Sequence, residues 1–105
     1  MVTLYPGPTE VGGVRLKNHL LLAAGILGTT GASLARILHN GAGGVVTKSI
    51  GPDPKEGHPG PCLIVVDGGI INAMGLPNPS AAFEDELAVL QGEPVVVSIF
   101  GGTPE

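Results

Sequence analysis

Cysteine is nearly absent: Cys62 stands alone among 105 residues, which rules out an internal disulfide and a metal site built from cysteines. Tryptophan is missing, and the aromatic residues are only Tyr5, Phe83 and Phe100, too few for a base-stacking platform. Basic residues are scattered, and a net charge of −4 argues against a surface for nucleic-acid phosphates. Long apolar runs are lacking as well. The longest near the start, Leu20 to Ala24, is far short of the ~20 residues a membrane span requires. A basic segment leading into an apolar core, the mark of a secretory leader, is also missing from the N-terminus. The expected compartment is the cytoplasm, with neither nucleic acid nor membrane as a partner.

What is present is apolar and rich in turn residues. Hydrophobic residues make up 43%, charged residues 13%, and the mean hydropathy is +0.38, a balance that excludes intrinsic disorder. A chain of this length is one domain or less and has much surface for its volume. Some of its apolar surface is therefore expected to meet a partner.

Read in order, residues 9–16 give a small hairpin, Thr9–Val11 against Val14–Leu16, turning at Gly12-Gly13. Leu20 to Ala24 is apolar on both faces, the pattern of a buried parallel strand. Thr29 or Thr30 can cap a helix carrying Leu34, Ile37 and Leu38, which stops near Gly41. Gly44 to Thr47 is a second strand and delivers Lys48-Ser49, and Gly51 to Pro61 is loop. Cys62–Val66 and Ile70–Asn72 form another hairpin around Asp67-Gly68-Gly69. Asn78 or Ser80 caps a helix presenting Phe83, Leu87 and Leu90, and Val95 to Ile99 is a third strand. Hairpin, β, α, β, hairpin, α, β implies βαβ units, hence a doubly wound sheet or a (β/α)8 barrel.

In such folds ligands lie beyond the carboxyl ends of the strands. Ala24-Gly25, Lys48-Ser49 and Ser98 occupy those ends, and the loop Asn72-Ala73-Met74-Gly75-Leu76-Pro77-Asn78-Pro79 can fold over them. Lys48 follows an apolar strand, where its charge needs either a counter-group or an escape to solvent. Asn72 offers donors and an acceptor to the edge of a flat heterocycle, or else bonds its own backbone. Gly25 and Gly28 could face a phosphate, but Gly-Ile-Leu-Gly-Thr-Thr-Gly fits no nucleotide fingerprint. His19, His39 and His58 lack metal-ligand spacing, and the reading of Asp53, Lys55, Glu56 and His58 is a solvated loop. Cys62 reads as a buried structural thiol.

Several of these segments together resemble the N-terminal part of the dihydroorotate dehydrogenase family: Leu-Lys-Asn, Ala-Ala-Gly, Val-Val-Thr-Lys-Ser, Glu-Gly-His-Pro, Asn-Ala-Met-Gly-Leu-Pro-Asn-Pro and Val-Ser-Ile-Phe-Gly. The resemblance implies a (β/α)8 TIM barrel that binds FMN and oxidises dihydroorotate to orotate in pyrimidine biosynthesis. By position, Ala24, Gly25, Lys48, Ser49 and Ser98 would neighbour FMN. Lys48, Asn72, Met74, Gly75 and Leu76 would meet the pyrimidine, with Lys48 stabilising charge. The position held by Ala24 is commonly Ser in the family, and that of Cys62 commonly Arg.

A complete barrel takes about 250 residues, so residues 1–105 are expected to be a single partial domain holding only about the first three βα units. The catalytic base, a cysteine of a later loop in the cytosolic class, has no counterpart here. The isolated chain is therefore expected to be inactive and to associate, either with the remaining barrel or with a second subunit. A non-catalytic α/β fragment, a barrel-completing module and a related flavin-dependent pyrimidine reductase are the competing readings.

Overall fold

The computed structural model describes residues 7–104. The chain opens with the antiparallel pair β1 (Thr9–Val11) and β2 (Val14–Leu16), in the register Thr9↔Leu16 to Val11↔Val14. Gly12 and Gly13 link them at φ +56° and +84°, the two positive angles that a tight type I′ hairpin turn demands. Leu16 is buried beside Gly44, and the Lys17 N–H donates to the Gly43 carbonyl at 2.9 Å. The hairpin thus closes the amino-terminal end of the sheet.

That sheet has three parallel strands in the order β3 (Leu21–Leu22), β4 (Gly44–Val46) and β7 (Val95–Val96). The register aligns Leu22, Val45 and Val95 in one row. On this face pack α1 (Gly31–His39) and α2 (Phe83–Leu87), the latter extended at both ends by single 3-10 turns. Leu34, Leu38, Val45, Phe83 and Leu90 form the buried cluster. Each such side chain contributes roughly 1.5–3 kcal/mol by leaving water. Thr30 caps α1, its Oγ1 accepting from the Ser33 N–H at 3.0 Å. Gly31 then comes so close to α2 that a Cβ would sit 2.0 Å from the Glu86 carbonyl oxygen, while the Glu86 carboxylate accepts from the Gly31 N–H.

The opposite face of the sheet is largely open, with Leu16 of the first hairpin packed against it at Gly44. Leu21 and Val96 are 45% and 40% exposed there, although parallel sheets are normally covered on both sides. The second hairpin, β5 (Leu63–Val66) and β6 (Gly69–Asn72), forms a separate two-stranded sheet with every residue exposed. No helix among the described residues is long and apolar enough to cross a membrane.

Two expected strands are shorter than their apolar runs. Beyond Leu22 the chain leaves the ladder through Ala23, Ala24 and Gly25, the last at φ +151°. β7 stops at Val96, yet pairing continues irregularly: the Ile50 N–H donates to the Ser98 carbonyl and the Phe100 N–H to the Ile50 carbonyl. Cys62 lies before β5 rather than inside it and is half-buried, not buried; its thiol faces the His58 carbonyl at 3.3 Å.

Candidate functional site

Two of the three parallel strands, β3 and β4, lead from their carboxyl ends into one cleft. After β3, Ala23, Ala24 and Gly25 form one wall, and after β4 comes Lys48. From the exposed hairpin come Leu63 and Asn72, which face each other across the register, and Met74 follows. The cleft measures about 470 Å³, within the size range of small-molecule sites.

Lys48 is the one charged residue in this lining, and Asn72 is the one other polar side chain. Among the described residues the only ion pair is Lys17–Glu93, at 3.0 Å, so no carboxylate neutralises Lys48. An unpaired ammonium between apolar walls favours an anionic or electron-rich guest. The Asn72 carboxamide makes no hydrogen bond within the described residues, which leaves its donors and acceptor free for such a guest.

The direction in which Lys48 leaves the sheet is fixed from behind. Its N–H donates to the Gly28 carbonyl at 2.9 Å, and Gly28 is packed so tightly that a Cβ would lie 2.7 Å from the Lys48 nitrogen. Gly28 is therefore a packing glycine and not a phosphate contact, because its N–H donates to the Gly25 carbonyl at 3.0 Å and its carbonyl accepts from Lys48. Thr47 is fully buried, and its Oγ1 accepts from the Ser98 N–H at 3.1 Å. A side chain thereby continues the ladder between β4 and β7 just where Lys48 begins. Beside it the Ser49 and Ser98 hydroxyls are 2.7 Å apart.

Of the expected site residues, Ala24, Gly25, Lys48, Asn72 and Met74 come together around the cleft. Ser49 and Ser98 bond each other next to it. Gly75 and Leu76 follow Met74 but lie outside the lining. Gly75, at φ +81°, is pressed against the other loop, since a Cβ would fall 2.6 Å from the His58 nitrogen. Gly57, at φ +89°, reciprocates: a Cβ there would fall 2.4 Å from the Met74 carbonyl oxygen. The His58 N–H donates to that same carbonyl at 2.9 Å. Two glycines, one per loop, let Gly51–Pro61 and Asn72–Leu76 lie backbone to backbone.

Sequence reasoning missed Thr47, which looked like one more strand residue, and undervalued Asn78, expected only as a helix cap. Asn78 is 7% exposed and belongs to the loops rather than the helix. The available signal was its place between Pro77 and Pro79. Neither proline has an N–H, so an Asx-type side chain there is well placed to organise the turn.

The profile of the family described as dihydroorotate dehydrogenase matches residues 8–102. Named relatives agree with it. The chain is 61% identical over 99 residues to the dihydroorotate dehydrogenase B (NAD(+)) catalytic subunit of Methanocella arvoryzae, covering 91% of this chain and 33% of the relative. It is 60% identical over 97 residues to the protein of the same name from Methanosarcina mazei, covering 88% and 31%. Against that of Pyrococcus abyssi the identity is 50% over 95 residues, covering 89% and 32%. The chain thus spans about a third of the length of the relatives it matches.

Proposed function

The chain belongs to the dihydroorotate dehydrogenase family, and from that premise we propose that it carries the first part of a site for FMN and a dihydropyrimidine, in an enzyme that oxidises dihydroorotate to orotate. The observation that supports this most directly is that Lys48 and Asn72, from separate sheets, line one cleft together with Gly25 and Met74. The sheet is then one sector of a (β/α)8 barrel. Its sequential strand order, its two helices on one face and its largely open opposite face all suit that role.

The fit to FMN rests on the shape and chemistry of the cleft. Its walls are apolar, it holds one cation, and nothing lies within 4 Å of the Cβ position of Gly25, so a flat ring can rest against that backbone. Ala24, Gly25 and Lys48 would hold the ring, with Ser49 and Ser98 as neighbours. When bound, FMN supplies the hydride acceptor that amino-acid side chains lack.

The rest belongs to the side chains. The Lys48 ammonium stabilises negative charge developing beside it, most strongly where water is excluded. Asn72 reads the amide-like edge of the pyrimidine, and the flexible Met74 thioether packs on its face. The lining contains no carboxylate, imidazole or thiol, so removal of the substrate proton is assigned to a group from the remaining barrel or from another subunit. The words catalytic subunit and NAD(+) in the relatives' names support a further subunit and NAD+ as the final acceptor.

The test is a titration of the purified chain with FMN, followed by flavin fluorescence, and then addition of orotate. Quenching that orotate perturbs is the expected result. Absence of quenching with excess FMN would sink the flavin site. Reduction of FMN by dihydroorotate with this chain alone would refute the assignment of the proton acceptor elsewhere.

A further inference from the structure

We propose that Asn78 is a positioning residue that couples the lysine side of the cleft to its pyrimidine side, an inference that rests on the function proposed above. The two ends of its carboxamide serve different loops. Oδ1 accepts from the Gly51 N–H at 3.1 Å and from the Ser80 N–H at 3.0 Å, while Nδ2 donates to the Leu76 carbonyl at 3.0 Å. Gly51 ends the short connection from Lys48, and Leu76 closes the loop that begins at Asn72. One side chain therefore sets the spacing between the segments that carry the cation and the amide.

The surroundings make this tie firm. Asn78 is buried, and its own backbone exchanges two hydrogen bonds with Lys55, both at 2.8 Å. Leu76 stands at φ +55°, a left-handed conformation that a leucine keeps only when its surroundings hold it there. The hydrogen bond from Nδ2 to its carbonyl supplies such a hold. Ser80, also buried and at φ +56°, anchors the same turn to the Pro52 carbonyl through Oγ at 2.8 Å. That second bond stabilises the turn without touching Gly51 or Leu76, so Ser80 serves as an internal control.

Hydrogen exchange tests the coupling without any ligand. Asn78→Asp keeps an acceptor for Gly51 and Ser80 but removes the donor to Leu76. The Gly51 amide is expected to stay protected, while the His58 amide, bonded to the Met74 carbonyl, exchanges faster. An unchanged His58, or equal acceleration at both amides, overturns the proposal. Binding supplies the second readout. Asn78→Ala, which removes all three side-chain hydrogen bonds, is expected to weaken orotate binding to the FMN-loaded chain about tenfold or more, whereas Ser80→Ala leaves it within about twofold. Equal losses in the two variants would reduce Asn78 to a structural residue. Should the unsubstituted chain bind no orotate, the proposed function falls, and the exchange pattern still decides the role of Asn78.

Discussion

The hydroxyls of Ser49 and Ser98 lie 2.7 Å apart, although 49 residues separate them in the chain. Two residues earlier, Thr47 Oγ1 accepts from the Ser98 N–H. Side chains thus take over the β4–β7 ladder at the point where regular backbone pairing lapses, next to Lys48. Thr47→Val keeps the shape but removes the acceptor, leaving the part-buried Ser98 N–H unpaired. The expected loss is about 1–3 kcal/mol, read by urea denaturation. Ser49→Ala should cost less, about 1 kcal/mol.

Gly75 is where the two site loops touch. Gly75→Ala places a methyl group 2.6 Å from the His58 nitrogen, at a backbone φ of +81°. Stability should fall by about 1–3 kcal/mol. Gly69→Ala, with nothing within 4 Å, should change it by no more than about 0.5 kcal/mol. A comparable melting shift in both variants would refute the loop contact.

In the proposed function Lys48 serves through its charge rather than its packing. Lys48→Met preserves length and apolar contact, so the fold should be at least as stable once an unpaired cation is removed. Binding of FMN and orotate should drop about tenfold or more. Added salt should weaken orotate binding in the unsubstituted chain more than in the variant. Equal salt dependence in the two would show that the ammonium does not meet the ligand.

The β5–β6 hairpin predicts association. Ile64 and Ile71 face each other across the register and are 49% and 55% exposed, on the side away from Leu63 and Asn72. A two-stranded hairpin is marginal on its own, and a contiguous apolar face invites a partner. Sedimentation of the chain should show self-association. The double change Ile64→Lys and Ile71→Glu, which keeps a favourable cross-strand pair, should reduce it. A monomer at every concentration tested would contradict the expectation.

Local rules already present in the sequence determined the elements. Gly12-Gly13 set the first turn, Thr30 set the start of α1, and the spacing of Phe83, Leu87 and Leu90 set the helical face that α2 buries. Strand patterns over Leu20–Ala24, Gly44–Thr47 and Val95–Ile99 put the candidate residues at or near strand ends, because parallel strands are buried along their length and open at their tips.

Tertiary structure decided what the pattern left open. Asn72 was equally able to bond its own backbone, and Lys48 to reach solvent. Both line one cleft because the register of two sheets and the mutual packing of Gly57 and Gly75 bring their loops together. Close approach to Val46, Thr47 and Lys48 turned Gly28 from a ligand candidate into a seat for the backbone of Lys48, and hydrogen bonds to Gly51 and Leu76 made Asn78 a clamp rather than a cap. Hydrogen bonds between residues far apart in the chain have no period in sequence, so only the folded backbone could reveal them.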